Sequence, residues 1–320
     1  MKNKRIKILL LILFNFLLNI NSNAEEIFNF DVTELEISEE GNIFKGFNKG
    51  TVTSNDGVTI KANTFIYNKS LNILEAYGNV KATDTKKDII IFSDYSKYYK
   101  NEEKILTFGN SKATNKGVQI NADNFEYNKT TDVLNANGDV IIDETINNYK
   151  INAESITYII NEEKIFSQGI TKALVQSKYE FESSDVLLLR NEMELSSSKF
   201  TTILEKKSTF YKADKFKYFI KDELLKAENV EVIENVSLAD GESDKLYFKN
   251  GFFNFKNQSF KASETRLKLK KNLFDEKEND PRLVGASSES NNNITSIHKA
   301  IFTSCKEKKD NNCPPWSIKA

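Results

Sequence analysis

Histidine, cysteine, tryptophan and proline are nearly absent from this sequence of 320 residues, which holds one His, two Cys, one Trp and three Pro. The histidine is His298 and the cysteines are Cys305 and Cys313, so all three lie close to the C-terminus. A histidine-based catalytic triad or a Cys/His zinc site therefore has no side chains to draw on in the body of the chain. We predict a protein that is not an enzyme, with no catalytic residues, no metal ligands and no cofactor.

The sequence also lacks an excess of charge of one sign. Its 45 Lys and Arg residues nearly balance its 46 Asp and Glu residues, the formal net charge is −1, and both signs are scattered along the chain. Nucleic-acid binding requires a basic patch or stripe. We therefore predict no nucleic-acid partner.

Long hydrophobic runs are missing except at the start, where residues 8–20 are apolar. That run is shorter than the roughly 20 residues that a membrane-spanning helix needs. Lys2, Lys4 and Arg5 precede it, and small residues at 22 and 24 follow it at the spacing of a cleavage site. The pattern predicts a secretory signal peptide over 1–24, with a mature protein that begins near Glu25 in the periplasm or beyond.

The body of the chain is an internal repeat. The pentapeptide NEEKI occurs at 101–105 and 161–165, and residues 57–80 align with 117–140 without a gap. Half-period copies lie between them, so the unit is about thirty residues long. Each unit opens with a small residue. An acidic residue usually follows it, and alternating apolar positions come next: ANTFIY at 62, SDYSKY at 93, ADNFEY at 122, AESITY at 153, SDVLLL at 184, ADKFKY at 213 and SDKLYF at 243.

Each unit has the local pattern of β-structure. Apolar residues alternate with period two, the parity changes between Ala62 and Phe65 as at a bulge, and a turn rich in Asn, Lys and Glu then reverses the chain. We predict an elongated all-β stack of about eight two-strand repeats, roughly sixteen strands over 27–270. The alternation places one set of residues in its interior: Ile60, Phe65, Ile91, Ile120, Phe125, Ile151, Ile156 and Phe216.

Three recurring positions in the unit each have two interpretations. The acidic position, as in Asp94 and Asp123, suits a calcium ladder or a solvated or turn-capping carboxylate, and the missing glycine-rich nonapeptide favours the second interpretation. The aromatic position, as in Tyr98, suits sugar stacking or an inward core ladder, and we expect the ladder. Gly78, Gly109, Gly138 and Gly169 predict positive φ or close backbone approach at a corner.

The repeat resembles a known family. Its pattern I-x-A-[D/N/E]-x-[F/I]-x-Y, followed by L-x-A-x-G-[D/N]-V, is similar to the OstA/LptA-type repeat of the lipopolysaccharide transport machinery. The resemblance implies that residues 25–270 form an elongated, open β-jelly roll whose apolar groove carries lipopolysaccharide acyl chains. The eight interior residues named above would then line this groove.

The end of the chain resembles a different part of the same machinery. The stretch F-T-S-C at 302–305 and C-P-P-W-S-I-K-A at 313–320 is similar to the segment that joins jelly roll to barrel in the LptD family of outer-membrane assembly proteins. The resemblance implies that 300–320 begins a barrel-linking segment whose barrel is absent here. The polar stretch 271–299 then reads as a linker or loop.

Two pairings are open for the cysteines of that tail. An oxidising compartment favours a disulfide, and Cys305 and Cys313 are close enough in sequence to form one locally. The resemblance implies instead that each pairs with a cysteine beyond a barrel.

The resemblance also implies the function, the partners and the location. We expect lipopolysaccharide transport and outer-membrane assembly at the periplasmic face of the outer membrane, with lipopolysaccharide as the ligand. A bridge protein of the LptA type would add a strand at the edge near 27–37, and an LptE-like lipoprotein would join if a barrel is present. The alternatives are a soluble bridge protein of the LptA type and a secreted β-solenoid adhesin or structural protein. A carboxylate-based polysaccharide enzyme is disfavoured, because the acids recur at one fixed place in every unit.

Overall fold

The computed structural model describes residues 27–205, 209–234, 243–270, 279–291, 294–306 and 316–320. In these ranges the chain forms one antiparallel sheet, with short 3-10 turns at Glu39–Gly41, Lys100–Glu102 and Ile160–Glu162. No helix within these ranges is long and apolar enough to cross a membrane. The strands are β1 Phe28–Ser38, β2 Ile43–Ser54, β3 Val58–Ala62, β4 Thr64–Asn68, β5 Ile73–Asp84, β6 Ile89–Tyr99, β7 Lys104–Asn115, β8 Val118–Asn128, β9 Val133–Glu144, β10 Tyr149–Ile159, β11 Lys164–Gln168, β12 Ile170–Val175, β13 Tyr179–Ser184, β14 Leu187–Leu189, β15 Glu194–Ser197, β16 Thr201–Glu205, β17 Thr209–Ala213, β18 Lys215–Phe219, β19 Leu224–Glu234, β20 Lys245–Asn254, β21 Ser259–Lys268, β22 Arg282–Asn291, β23 Ile294–His298, β24 Ile301–Thr303 and β25 Ile318–Lys319.

Most strands are long and bent near the middle. Five pairs are the two halves of one bent strand: β3 with β4, β11 with β12, β13 with β14, β15 with β16, and β17 with β18. With each pair joined, the described part of 27–270 holds sixteen long strands in antiparallel succession. The predicted all-β class is therefore confirmed, and the strand number agrees with two strands per repeat.

The bend arises from backbone that most residues avoid. Gly78 and Asn79 have φ of +74° and +49°, and Gly138 and Asp139 have +79° and +44°. Both pairs sit where the strand register shifts. Positive φ suits Gly and, less well, Asn and Asp, so the G-[D/N] element of the repeat encodes the bend. The prediction for the glycines, including Gly109 and Gly169, is confirmed, because both also have positive φ.

The bends fold the sheet over itself into two layers. Layer one is the set of strand halves that end at the turns near 54–58, 84–89, 115–118, 144–149 and 175–179; layer two ends at the turns near 68–73, 99–104, 128–133, 159–164, 189–194 and 219–224. Aromatic rings from the two layers touch: the ring centroids of Phe28 in layer one and Tyr67 in layer two are 4.8 Å apart. Phe181 likewise lies 5.5 Å from Phe216. The core therefore sits between the layers, and we call the line along which their turns meet the seam.

The strands at 282–291 and 294–298 contradict one prediction. The stretch 271–299 was expected to be a linker or loop, but β22 pairs with β21 over Arg282–Ser290 and β23 pairs with β22. The Ser- and Asn-rich sequence carries no apolar alternation, so it reads as a loop. Its strand character comes from backbone pairing and from one buried contact, in which the Thr265 and Ser288 hydroxyls lie 2.6 Å apart.

The tail of the chain adds to the same sheet. β24 pairs with β22, and β25 pairs with β24. Thr303 Oγ1 donates a 2.9 Å hydrogen bond to the Trp316 carbonyl oxygen. The role of 300–320 as a barrel-linking segment remains a prediction, and the predicted signal peptide over 1–24 lies outside the described residues.

Candidate functional site

The interior between the layers contains all eight residues that the alternation pointed to. Their exposed fractions are between 0% and 3%. They belong to one apolar cluster that extends from Phe28 to Ala262. The residues thus lie inside, side by side along one apolar strip, whereas their role as lipid contacts remains a prediction.

The acidic position of the repeat lies at the bend. Asp94 Oδ2 accepts a 2.8 Å hydrogen bond from Asn110 Nδ2, and Asp214 Oδ2 accepts an equivalent bond of 2.8 Å from Asn229. Asp185 Oδ1 accepts from the Gly169 backbone N–H at 3.3 Å. Asp185 thus bonds the bent backbone and the other two carboxylates bond a side chain at the bend, in agreement with the solvated or turn-capping interpretation. Among the described residues, no group of three or more His, Cys, Asp or Glu side chains has the arrangement of a metal site.

The aromatic position forms the inward ladder that we expected. The rings of Tyr98, Tyr127, Tyr158 and Tyr218 are fully buried, and that of Tyr67 is 4% exposed. Their hydroxyl groups reach the seam, where each needs a hydrogen-bond partner because it is shielded from water. Five positions after each of these tyrosines stands an Asn, Asp or Glu residue with positive φ: Asn72, Glu103, Asp132, Glu163 and Glu223.

The first ionic cluster at the seam joins a layer-one turn to layer two. Asp56 lies in the layer-one turn at 54–58, and its Oδ2 is 3.1 Å from the Tyr98 hydroxyl. Lys129 Nζ contacts Asp56 and also lies 3.1 Å from Glu103 Oε2. Lys100 Nζ is 3.7 Å from the same Asp56 oxygen. Two cations and two carboxylates are thus held in one group across the seam.

A second cluster repeats this arrangement one double unit later. The Tyr158 hydroxyl lies 3.0 Å from Glu163 Oε2 and accepts a 2.6 Å hydrogen bond from Arg190 Nη1. Arg190 also contacts Glu163 and donates to the Lys116 carbonyl oxygen at 3.2 Å. Lys116, which lies in the layer-one turn at 115–118, approaches Glu163 Oε1 to 2.5 Å. Glu163 is only 7% exposed, so its charge is compensated almost entirely by protein groups.

Further contacts join the two layers along the seam, some of them between uncharged groups. Gln176, in the layer-one turn at 175–179, donates to the Ile220 carbonyl oxygen at 2.9 Å and accepts from the Tyr218 hydroxyl at 3.3 Å. Between the two ionic clusters, Lys87 of layer one lies 2.7 Å from Asp132 of layer two. The seam is thus bridged at intervals from Asp56 to Ile220.

Burial and charge set the protonation of the clusters. Burial lowers the pKa of Lys129 to about 8. Burial opposes the ionisation of Glu163, but hydrogen bonds from Lys116 and Tyr158 and the charge of Arg190 outweigh it, so its pKa lies below the ordinary value. Burial, together with the neighbouring Glu103, raises the pKa of Tyr98. At neutral pH Tyr98 is therefore neutral and Glu163 is charged.

The interior changes character towards its C-terminal end. A cavity of about 430 Å³ lies there, with an aromatic wall and a polar rim. Its aromatic lining is Tyr211, Phe248, Phe253, Phe255 and Phe260. Volumes of this size lie within the range of small-molecule pockets.

The N-terminal end of the stack is an uncovered edge. Among the described residues, β1 pairs with β2 alone. Leu35 and Ile37 share a face with the buried Phe65 and Tyr67 through the register of β1, β2 and β4, yet they are 44% and 54% exposed. A terminal repeat normally carries a polar outer face. This end of the apolar strip therefore lies open.

The seam clusters are the part of the site that sequence reasoning missed. The signal was present: Glu103 and Glu163 are the third residues of the two NEEKI copies, and each follows its tyrosine by five positions. Both glutamates have positive φ, a conformation that Asn or Gly adopts more easily. A Glu residue at such a position indicates that its side chain makes a specific interaction.

The cysteine predictions are not resolved by the structure. Cys305 is partly exposed and has no disulfide partner among the described residues, and its carbonyl oxygen accepts a 2.5 Å hydrogen bond from Arg282 Nη1. Cys313 lies outside the described residues. Both pairings stay open.

Comparison with known proteins gives a similarity of structure only. No protein-family model matches the chain, and no curated protein matches its sequence. Among solved structures, the crystal structure of LptH, the LptA-homologous periplasmic component of the conserved lipopolysaccharide transport device from Pseudomonas aeruginosa, is similar to part of the chain. The match covers 37% of this chain and 86% of that one, at 14% sequence identity and a TM-score of 0.32.

Proposed function

We propose that this protein binds the acyl chains of lipopolysaccharide between its two layers and takes part in lipopolysaccharide transport to the outer membrane. The supporting observation is the interior: one apolar strip runs the length of the repeat, lined by residues such as Ile60, Phe125 and Phe216. The sequence resemblance of the repeat to the OstA/LptA type points to the same ligand.

The physical need for such a strip follows from the ligand. Burial of each CH₂ group stabilises it by about 0.8 kcal/mol relative to water. Exposure of an acyl chain of twelve carbons to water therefore costs roughly 10 kcal/mol. A lipid with several chains therefore needs a long apolar interior to cross an aqueous compartment. The strip is packed when empty, so the layers must part for a chain to enter.

The test is site-specific photo-crosslinking in cells that make both the protein and lipopolysaccharide. A photoreactive phenylalanine analogue replaces Phe65 or Phe125, which face inward, or Lys61 or Glu126, which are exposed neighbours on the other face of the same strands. We expect lipid adducts from the two inward positions alone. Adducts from Lys61 and Glu126 only would refute the proposal.

The partner that we propose is a bridge protein of the LptA type, added at β1. β1 offers an unpaired edge for strand addition, and the uncovered Leu35 and Ile37 would continue the apolar strip into the partner. By the resemblance of the tail, the protein would act at the periplasmic face of the outer membrane, and an LptE-like lipoprotein would join if a barrel is present.

Charged residues at the uncovered edge test this partner. The double substitution Leu35→Lys and Ile37→Lys should abolish co-purification with the bridge protein, because it would bury two lysines in the joint. Glu36→Lys is the matched control, since Glu36 lies between them on the other face of β1. Undiminished co-purification of the double variant would exclude this edge as the docking site.

A further inference from the structure

The seam clusters recur with the long period of the sequence repeat. Tyr98 with Glu103 and Tyr158 with Glu163 are the same two positions, one double unit apart. Core packing needs only the short unit, because Tyr67 and Tyr127 of the intervening units are equally inward. The tyrosine–glutamate clusters therefore follow the double-length repeat, whereas the intervening unit bridges the seam with the Lys87–Asp132 ion pair.

The clusters connect turns that no strand pairing connects. Asp56 and Lys129 are separated by 73 residues, and Arg190 and Lys116 by 74. Each bond spans the seam between the layers, whereas strand pairing holds each layer together along the stack. Along this seam, the side chains of these clusters therefore resist separation of the layers directly.

We propose that the Asp56–Glu103–Lys129 and Lys116–Glu163–Arg190 clusters form a clasp that keeps the seam shut, and that acyl chains enter the interior where these ion pairs part. The acyl part of this inference rests on the proposed function; the clasp itself does not. The cations that part from the carboxylates would then stand at the rim of an opened interior, where they can pair with an anionic lipid headgroup.

Substitution of one member of the clasp should alter its closure, because the members compensate one another's charge. Arg190 removes the cost of burying the Glu163 charge, and loss of one partner leaves the other charged and poorly solvated. Without Arg190, Glu163 keeps Lys116 as its charged partner, and opening the seam returns the less fully compensated carboxylate to water. Single charge removal should therefore favour opening, whereas removal of both charges should not.

Two measurements separate the clasp from its lipid role. Amide hydrogen exchange without lipid follows peptides that cover 54–58, 99–104, 128–133 and 159–164. Binding of a fluorescent long-chain fatty acid follows access to the interior. The variants are Arg190→Met, Lys129→Met and the double variant Glu163→Gln with Arg190→Met. Lys215→Met is the control, because its 3.0 Å pair with Glu228 lies outside the seam and both side chains are about half exposed.

Exchange at the seam should rise about tenfold or more in each single seam variant, the factor that one hydrogen bond to a charged group contributes. Fatty-acid binding should rise with it, the double variant should return towards the parent, and Lys215→Met should change neither. Faster exchange without increased fatty-acid binding would support the clasp but contradict its role in lipid entry. Unchanged exchange in both single variants, or equal acceleration in Lys215→Met, would overturn the clasp.

Discussion

The bend of the strands gives the sharpest stability test, because two of its glycines share their backbone conformation but differ in the space around them. Gly138 has φ of +79° and Gly169 has φ of +73°, so alanine meets the same backbone penalty at both positions. A Cβ atom at Gly138 would lie 2.8 Å from Asp123 Cβ and 2.6 Å from its Cγ, whereas at Gly169 the nearest atom is Glu154 Oε2 at 3.5 Å. No rotamer of Asp123 moves its Cβ, so the backbone must shift at Gly138 alone.

The magnitudes follow from these two effects. Alanine in the left-handed region costs about 1–2 kcal/mol, which is the whole effect expected for Gly169→Ala. Overpacking adds roughly 1–3 kcal/mol, so Gly138→Ala should lower the free energy of unfolding by about 2–5 kcal/mol. Removing the side chain that is hit, in the double variant Asp123→Gly with Gly138→Ala, should bring the loss back towards that of Gly169→Ala.

Urea unfolding followed by circular dichroism measures these differences, with an unchanged m-value as the check that the unfolding unit is the same. Asp123→Gly alone provides the reference for the double variant. Equal losses for Gly138→Ala and Gly169→Ala would refute this reasoning, because they would show that the Asp123 side chain does not limit the space at the bend.

Three further predictions concern the core, the seam and the added strand. Phe65→Ala, at a residue with no exposed surface, should cost about 3–5 kcal/mol in urea unfolding, whereas Phe108→Ala, at a residue 45% exposed, should cost far less; similar losses would contradict the interior assignment. The folded pKa of Glu163 lies below the unfolded value near 4.5, so its contribution to stability is present above pH 4.5 and is lost as the pH falls through the folded pKa. Glu163→Gln should therefore flatten the acid limb of a plot of melting temperature against pH, and an unaltered limb would show that Glu163 is not stabilised by Lys116 and Arg190. Ser288→Ala should cost about 1–3 kcal/mol because it leaves the buried Thr265 hydroxyl without this partner, and adding Thr265→Val should recover part of it; a double-variant loss equal to the sum of the single losses would show that the pair does not interact.

Much of the fold could be predicted because its information is local. The period-two alternation identified the inward residues, as Ile60 and Phe125 show, because successive side chains of a strand point to opposite faces. The parity change after Ala62 and the glycines of the four clearest units located the bends there, because positive φ restricts the residue type within the unit itself. Repetition multiplied these local signals, so the strand number followed from the unit length.

The tertiary structure alone decided the seam and the strands beyond 280. Residues 282–291 form a strand because their backbone groups pair with β21 whatever the side chains, and 294–298 pair with that strand in turn; a Ser-rich sequence does not show this. Asp56 and Lys129 come together only because the bent sheet folds over and brings turns of different units face to face. A sequence pattern shows that such charges recur, but the folded sheet selects which of them meet, because contact energies depend on distances in space and not along the chain.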